Sequence, residues 1–225
     1  HSDPFDGMAD ILTDLHVRTF YFNGQARDFF RYQQVLSLAA SRAENRVTVE
    51  EIVNLVLGAS GGTALRILPP LGENLNNLSA TSSDLNDESL GTVLTRGDFS
   101  MFFTGDGEVD ANLRWRTTFG DLTGDIDVLK VGHHGANDAV FDNGSSGTSS
   151  WLQHTDPEVH IMSSNGTSHP RIRALQLLQG RPNTASYCTN VHGDIEVRID
   201  GDGDFSVSVQ QNPGLDCVPG DDATT

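Results

Sequence analysis

A mixed α/β fold built in layers is what this sequence of 225 residues predicts, and three observations predict it. Strand-like and helix-like stretches alternate through the middle of the chain. Hairpins interrupt that alternation at several points. Polar residues able to bind metal recur just past the ends of the apolar strands. Nothing reads as an interdomain linker, so residues 1–210 are expected to form one domain, followed by an acidic tail over 211–225. No apolar run approaches the ~20 residues that a membrane helix needs. Hydrophobic residues make up 36% of the chain, low for a globular protein but above the level of a disordered one.

The elements follow in order. Met8, Ile11, Leu12 and Leu15 fall on one helical face, and residues 17–21 then read as a strand stopped by Asn23-Gly24. Residues 25–41 read as a helix with Phe29, Phe30, Val35, Leu36 and Leu38 available for burial, while residues 47–57 fit helix and strand equally. A short strand over 65–68 is closed by Pro69-Pro70, and the polar stretch 72–88 reads as a surface loop. Residues 90–95 and 99–104 pair as a hairpin about Arg96-Gly97-Asp98, and 108–118 is a helix with Val109, Leu113 and Trp115 as its apolar positions. A buried-type strand over 127–131 runs into Gly132-His133-His134-Gly135, then a Gly/Ser-rich loop covers 136–150. The strand over 159–162 ends in Ser163-Ser164-Asn165-Gly166, and Pro170 opens a helix that Gly180 closes. Two or three strands fill 185–210, and the tail after them reads as loosely held.

Net charge is −17, Lys130 is the one lysine, and Asp outnumbers Glu. Self-repulsion of that size opposes a compact state unless salt screens it, so the composition points to a salt-adapted protein. It also argues against tight binding of nucleic acid through lysine contacts. The two cysteines, Cys188 and Cys217, either pin the tail to the last sheet as a disulfide or remain free thiols; an extracellular setting favours the bridge. No signal peptide is visible, which a processed start explains, and an extracytoplasmic or secreted location is the expectation.

Asp106, then His133 and His134, then His169 each follow a predicted strand. Strand ends are where α/β folds hold side chains rigidly beside adaptable loops. A carboxylate and imidazoles converging there suit zinc or a similar ion. Gly105, Gly107, Gly132 and Gly135 flank these residues and allow sharp turns and close approach of a substrate. Alone, a Thr-Gly-Asp is a turn and a His-His pair is a satisfied structural pair; their combination in this order is far more specific. Asp200-Gly201-Asp202-Gly203-Asp204 alternates carboxylates as a calcium loop does, but it lacks the glycine and distal Glu of such a loop and reads as a hairpin turn. His16, His154, His160 and His192 belong to no motif, and Asn165-Gly166-Thr167 is a glycosylation sequon only in an exported chain.

Residues 86–90 (Asn-Asp-Glu-Ser-Leu), the Phe-Thr-Gly-Asp ending at Asp106, and residues 127–135 (Asp-Val-Leu-Lys-Val-Gly-His-His-Gly) closely resemble the ComEC-type metallo-β-lactamase domain. Residues 157–164, His169-Pro170 and 189–200 extend the resemblance, which spans about 1–210 and is most specific over 86–135. It implies an αββα four-layer sandwich, here apparently lacking its N-terminal strands. At the start, residues 1–7 align without gaps to the second half of the family's His-x-His-x-Asp-His-x-Gly-Gly motif. His1 is then the second histidine, Asp3 the aspartate, and Pro4 replaces the final histidine.

The resemblance implies that Asp106 bridges two metal ions and that His134, with His133 as the fallback, binds the second. Asp3 belongs to that second ion and orients the attacking water, His1 belongs to the first, and His169 lies near the leaving group or a phosphate oxygen. The expected cofactor is Zn2+, with Mn2+ as the substitute, as one or two ions. Three protein ligands and a water suffice for a catalytic zinc, whereas His1 and Asp106 alone make a weak first site. The function implied is a metal-dependent phosphodiesterase or nuclease acting on DNA, with single-stranded DNA or a small-molecule ester as the expected partner. The alternatives are a hydrolase of a small ester or lactone, and a degenerate, non-catalytic module, which Pro4 favours.

Overall fold

The computed structural model of the chain describes residues 3–24, 29–58, 62–70 and 85–220, with side chains from Gly7 onward. The backbone divides into two compact units, one of residues 1–52 and 69–83, the other of residues 53–68 and 84–225. His1, the side chains of Asp3 and Pro4, residues 25–28 of the expected second helix, and most of the expected loop over 72–88 lie outside what is described.

In the first unit, helix α1 (Asp3–Asp14) and helix α2 (Phe30–Arg42) accompany two short parallel strands, β1 (Thr19–Phe22) and β2 (Asn45–Thr48). Its small core is Leu12, Val35 and Ala39, with Val17, Phe20 and Leu38 packed around them. The helical face expected from Met8, Ile11, Leu12 and Leu15 is buried only at Leu12, and Phe29 and Phe30 are exposed rather than buried. Both phenylalanines stand at the first turn of α2, whereas Val35 and Ala39, four apart, form the stripe that faces the core.

The second unit carries the sheet that positions the site. Its strands are β3 (Val53–Leu57), β4 (Thr63–Leu68), β5 (Gly91–Arg96), β6 (Phe99–Phe103), β7 (Val128–Lys130), β8 (Val159–Met162) and β9 (Ala185–Cys188), paired in that order. Neighbours from β3 to β6 run antiparallel, and those from β6 to β9 run parallel. The mixed α/β class expected from the sequence is the class observed. The ambiguous stretch 47–57 becomes strand at both ends, because β-branched Val47, Thr48, Val53 and Val56 suit a paired strand better than a helix.

Alternation along the strands gives the sheet two buried faces. Phe99, Val128, Val159 and Ile161 point to the hairpin of β10 (Ile195–Ile199) and β11 (Phe205–Val209), whose Ile195, Val197, Ile199, Phe205 and Val207 cover them. Phe102 points the other way and meets Trp115 and Trp151 with ring centroids 5.1 and 5.6 Å apart. Those tryptophans come from helix α3 (Val109–Thr118) and helix α5 (Ser150–Thr155), with helix α4 (Gly120–Thr123) between them. The order helix, sheet, sheet within this unit supplies three successive layers of the expected sandwich. Asp200 turns the β10–β11 hairpin by accepting three backbone N–H groups through Oδ1, as a turn residue does.

Beyond β8, helix α6 (Ile172–Gln179) follows a cis His169–Pro170 bond, and a single-turn helix α7 (Thr189–His192) follows β9. The tail is not loose as far as Gly220. Cys217 is buried and joined to Cys188 by a disulfide, and the Gly220 N–H donates to the Pro170 carbonyl at 3.1 Å. A crosslink to the sheet edge overrides the polar composition that suggested a mobile end. Among the described residues, no helix is long and apolar enough to cross a membrane.

The aromatic layer makes one prediction. Phe102 is fully buried between sheet and helices, so Phe102→Ala should cost about 3–5 kcal/mol. Urea unfolding at fixed salt should show a lower midpoint with little change in slope.

Candidate metal centre

The site grows from one end of the parallel strands. β6 ends in Thr104-Gly105-Asp106 and β7 in Gly132-His133-His134-Gly135, and Thr104 Oγ1 donates to the Lys130 carbonyl at 2.6 Å, tying the two strand ends together. The Asp106 N–H donates to Ser89 Oγ at 3.2 Å. Asp87 Oδ1 accepts from the N–H groups of Glu108 and Ala111 at 3.2 and 2.9 Å. It thereby caps α3 from a distant turn and satisfies donors that the helix start leaves open. The Asn-Asp-Glu-Ser segment is thus the buttress that fixes the Asp106–Glu108 turn.

His133 and His134 both adopt left-handed backbone, with φ of 41° and 58°. Two consecutive residues other than glycine in that region are uncommon and cost about 1–3 kcal/mol each. The turn aims the two rings apart. His134 Nδ1 lies 2.6 Å from the Ser163 carbonyl and 3.1 Å from Ser163 Oγ. A carbonyl only accepts, so Nδ1 carries the proton and Nε2 is the basic nitrogen. That Nε2 lies 3.5 Å from Asp106 Oδ1. Two ligands bound at zinc distances on a tetrahedral ion stand about 3.4 Å apart. The pair fits such an ion in spacing, in donor type and in the backbone partner that orients the ring.

His133 is committed elsewhere. Its Nδ1 lies 2.5 Å from Glu108 Oε1 and 3.5 Å from Asp138 Oδ1, and Asn86 Nδ2 donates to the same Glu108 oxygen at 2.7 Å. Burial works against its charge, but the carboxylates of Asp138 and Glu108 outweigh burial and raise its pKa to about 10. In return His133 holds the Asp138 carboxyl below its usual range, again against burial. Glu108, His133 and Asp138 are spaced closely enough to hold a cation themselves. As they stand, their two carboxylates surround one imidazolium.

His169 completes a cluster of three imidazoles, with its ring centroid 5.3 Å from that of His133 and 6.0 Å from that of His134. Its Nδ1 lies 3.0 Å from Ser168 Oγ. Burial first, then the nearby His133, Arg171 and His134, push its pKa down to about 4, so it is neutral at pH 7. Lys130 is largely buried behind the site, and burial lowers its pKa to about 8 against the pull of Asp106.

The described residues therefore bring Asp106, His133, His134 and His169 together. His1 and the side chain of Asp3 lie outside them. Sequence reasoning missed Glu108, Asp138 and Ser163. Glu108 sits two residues past Asp106 and had only its proximity as a signal, Asp138 is hidden in a Gly/Ser-rich loop, and Ser163 acts through its main chain.

No protein-family model matches the chain. It is similar to ComE operon protein 3 of Bacillus subtilis (strain 168), 31% identical over 174 residues that make up 76% of this chain and 20% of that protein. The chain thus spans about one fifth of that relative's length. Among solved structures it is similar to CmlA, a diiron beta-hydroxylase from Streptomyces venezuelae, with a TM-score of 0.46 and 16% identity over 79% of this chain and 39% of that one. A mutant CmlA beta-hydroxylase gives a TM-score of 0.43 and 13% identity over 78% and 44% of the respective chains.

The His133 cluster carries a pH signature. A histidine whose folded pKa is raised stabilises fully below its unfolded value near 6.5, and that stabilisation is lost as pH rises through the folded value. Stability should therefore decline between about pH 6.5 and 10 in the native protein. Glu108→Gln should flatten that decline, and imidazole NMR should find the His133 pKa lowered from about 10.

Proposed function

We propose that this chain is a metal-dependent hydrolase of the metallo-β-lactamase type that cleaves phosphodiesters, with single-stranded DNA as the substrate. The observation that carries the reading is His134 Nε2 held 3.5 Å from Asp106 Oδ1 while the Ser163 carbonyl fixes the opposite ring nitrogen. That is how a metal-binding histidine is oriented. The substrate class rests on the ComEC-type resemblance over residues 86–135; composition does not supply it.

In this reading Asp106 and His134 hold a zinc or manganese ion. Such an ion provides a nucleophile from water at neutral pH and neutralises charge at phosphorus. The chain's own residues do the rest. His133, charged and locked to Glu108 and Asp138, neutralises part of their negative charge beside the reacting centre and holds that wall of the site in place. His169, neutral and facing both other imidazoles, lies near the leaving group or a phosphate oxygen and can donate a hydrogen bond to it from a ring N–H. The buried Lys130 offsets the Asp106 charge from behind.

The disulfide between Cys188 and Cys217 supports an extracytoplasmic setting. The net charge of −17 with one lysine supports a working environment rich in salt.

The test measures metal content and cleavage together. The native protein should bind Zn2+ or Mn2+ and degrade single-stranded DNA in high salt. Asp106→Asn and His134→Ala should each lose more than the ~10–100-fold in metal affinity that removal of an outer partner costs, with cleavage falling in parallel. Bound metal with turnover of a small ester but not DNA would shift the substrate class. A folded native protein that takes up no metal would replace the enzyme with a binding module, the reading that Pro4 favours.

A further inference from the structure

The loop that carries Ser163 and His169 has little secondary structure of its own, yet both of its ends enter the site. It is gripped from two sides. On one side stands α7: Thr189 Oγ1 accepts from the Ser164 N–H at 2.8 Å and donates to the Ser164 carbonyl at 2.9 Å, and Ser164 Oγ donates to Asn190 Oδ1 at 2.6 Å. On the other side stands the tail. The Gly220 N–H donates to the Pro170 carbonyl at 3.1 Å. Gly220 lies so close that a Cβ there would meet the Thr167 carbonyl oxygen at 2.5 Å and the His169 nitrogen at 2.9 Å.

The two gripping segments begin at the two cysteines. Cys188 immediately precedes Thr189 and Asn190, and Cys217 lies three residues before Gly220. Their disulfide is buried at both ends. Two further bonds hold the tail in line: Gln179 Nε2 donates to the Cys217 carbonyl at 2.9 Å, and Asn190 Nδ2 donates to the Val218 carbonyl at 3.5 Å. His192 Nε2 lies 3.0 Å from the Leu215 carbonyl. These tail bonds are few, and the cost of ordering the backbone competes with each of them. The crosslink makes their effect cooperative, because the tail cannot drift away from the segment it must meet.

We infer that Cys188, Cys217 and Gly220 are positioning residues for His169: the disulfide closes a clamp, made of α7 and the tail, on the loop over residues 163–170. The clamp acts on the placement of His169 and on the Ser163 carbonyl, not on Asp106, which sits on β6's extension and is fixed by Ser89. The assignment of a catalytic role to His169 rests on the proposed hydrolase; the clamp itself rests on geometry alone.

Hydrogen exchange on the full chain separates the two. The native protein is compared before and after reduction by a phosphine, and beside Gly220→Ala, which keeps the disulfide but places a methyl group against the loop. Amides over 164–169 should exchange at least ~10-fold faster in the reduced protein and in Gly220→Ala, while those of β7 and β8 keep their rates. With single-stranded DNA as substrate and Mn2+ as metal, both treatments should lower kcat more than they change KM or the Mn2+ affinity. Unchanged exchange over 164–169 after reduction overturns the clamp. Equal acceleration in β7 also overturns it, because the crosslink would then only hold the whole unit together. Local acceleration in a protein that cleaves no DNA at all supports the clamp and counts against the hydrolase reading.

Discussion

The arrangement of this site depends on two consecutive left-handed residues at the end of β7. Had His133 and His134 continued the strand, their rings would alternate across the sheet and neither would reach both β6 and β8. With φ of 41° and 58°, the rings diverge, their centroids 6.3 Å apart, one toward Glu108 and the other toward Ser163 and Asp106. The conformation needs anchoring, because each such residue is strained. The anchors are backbone: the His133 N–H donates to the Gly105 carbonyl and the Ala136 N–H to the His133 carbonyl. Gly132 is what permits the approach, since a Cβ there would meet the Gly107 carbonyl oxygen at 2.4 Å. The two glycine-flanked motifs are therefore one structural unit, each shaped to fit the other.

That turn also sorts charge. Three imidazoles stand with ring centroids 5.3, 6.0 and 6.3 Å apart, yet they differ in protonation because their burial and partners differ. His133 faces two carboxylates that outweigh its burial and keeps a proton to about pH 10, while His169, through burial first and then nearby cations, loses its proton near pH 4. His134 is defined by its protonated Nδ1 and the carboxylate opposite Nε2. Titratable groups of one type driven apart by their surroundings are a mark of sites built for chemistry.

Much of this was legible before any coordinates. The hairpin of β5 and β6, the strands β7 and β8, and helices α3 and α6 stand where apolar runs, Gly-Asp turns and Gly180 place them, within a residue or two. Asp106 and the histidine pair were legible because glycines and strand ends mark them. The resemblance preferred His134 to His133 as the ligand, but what His133 does instead, and how the two rings are parted, could not be read. Adjacent identical side chains are separated by backbone angles, and a sequence carries those only indirectly. The carboxylates of Glu108 and Asp138 were also illegible, for they are brought in by a remotely capped helix and an irregular loop. The exposure of Phe29 and Phe30 has the same origin: a hydrophobic residue at a helix start follows the entry angle of the chain as much as its own transfer energy.

For the proposed DNA substrate the composition and the site pull in opposite directions, and the resolution lies in range. A chain of net charge −17 repels an anionic polymer over the distance at which its charges act together. At about 1 M salt that distance shrinks to about 3 Å, roughly one contact. Long-range steering then contributes nothing in either sign, and only groups touching the substrate count. In this chain the one lysine, the imidazolium of His133 and the guanidinium of Arg171 all lie at the strand ends around Asp106 and His169. Lys130 acts there from a buried position and His133 from within a carboxylate cluster, so their influence is local rather than a field over the surface.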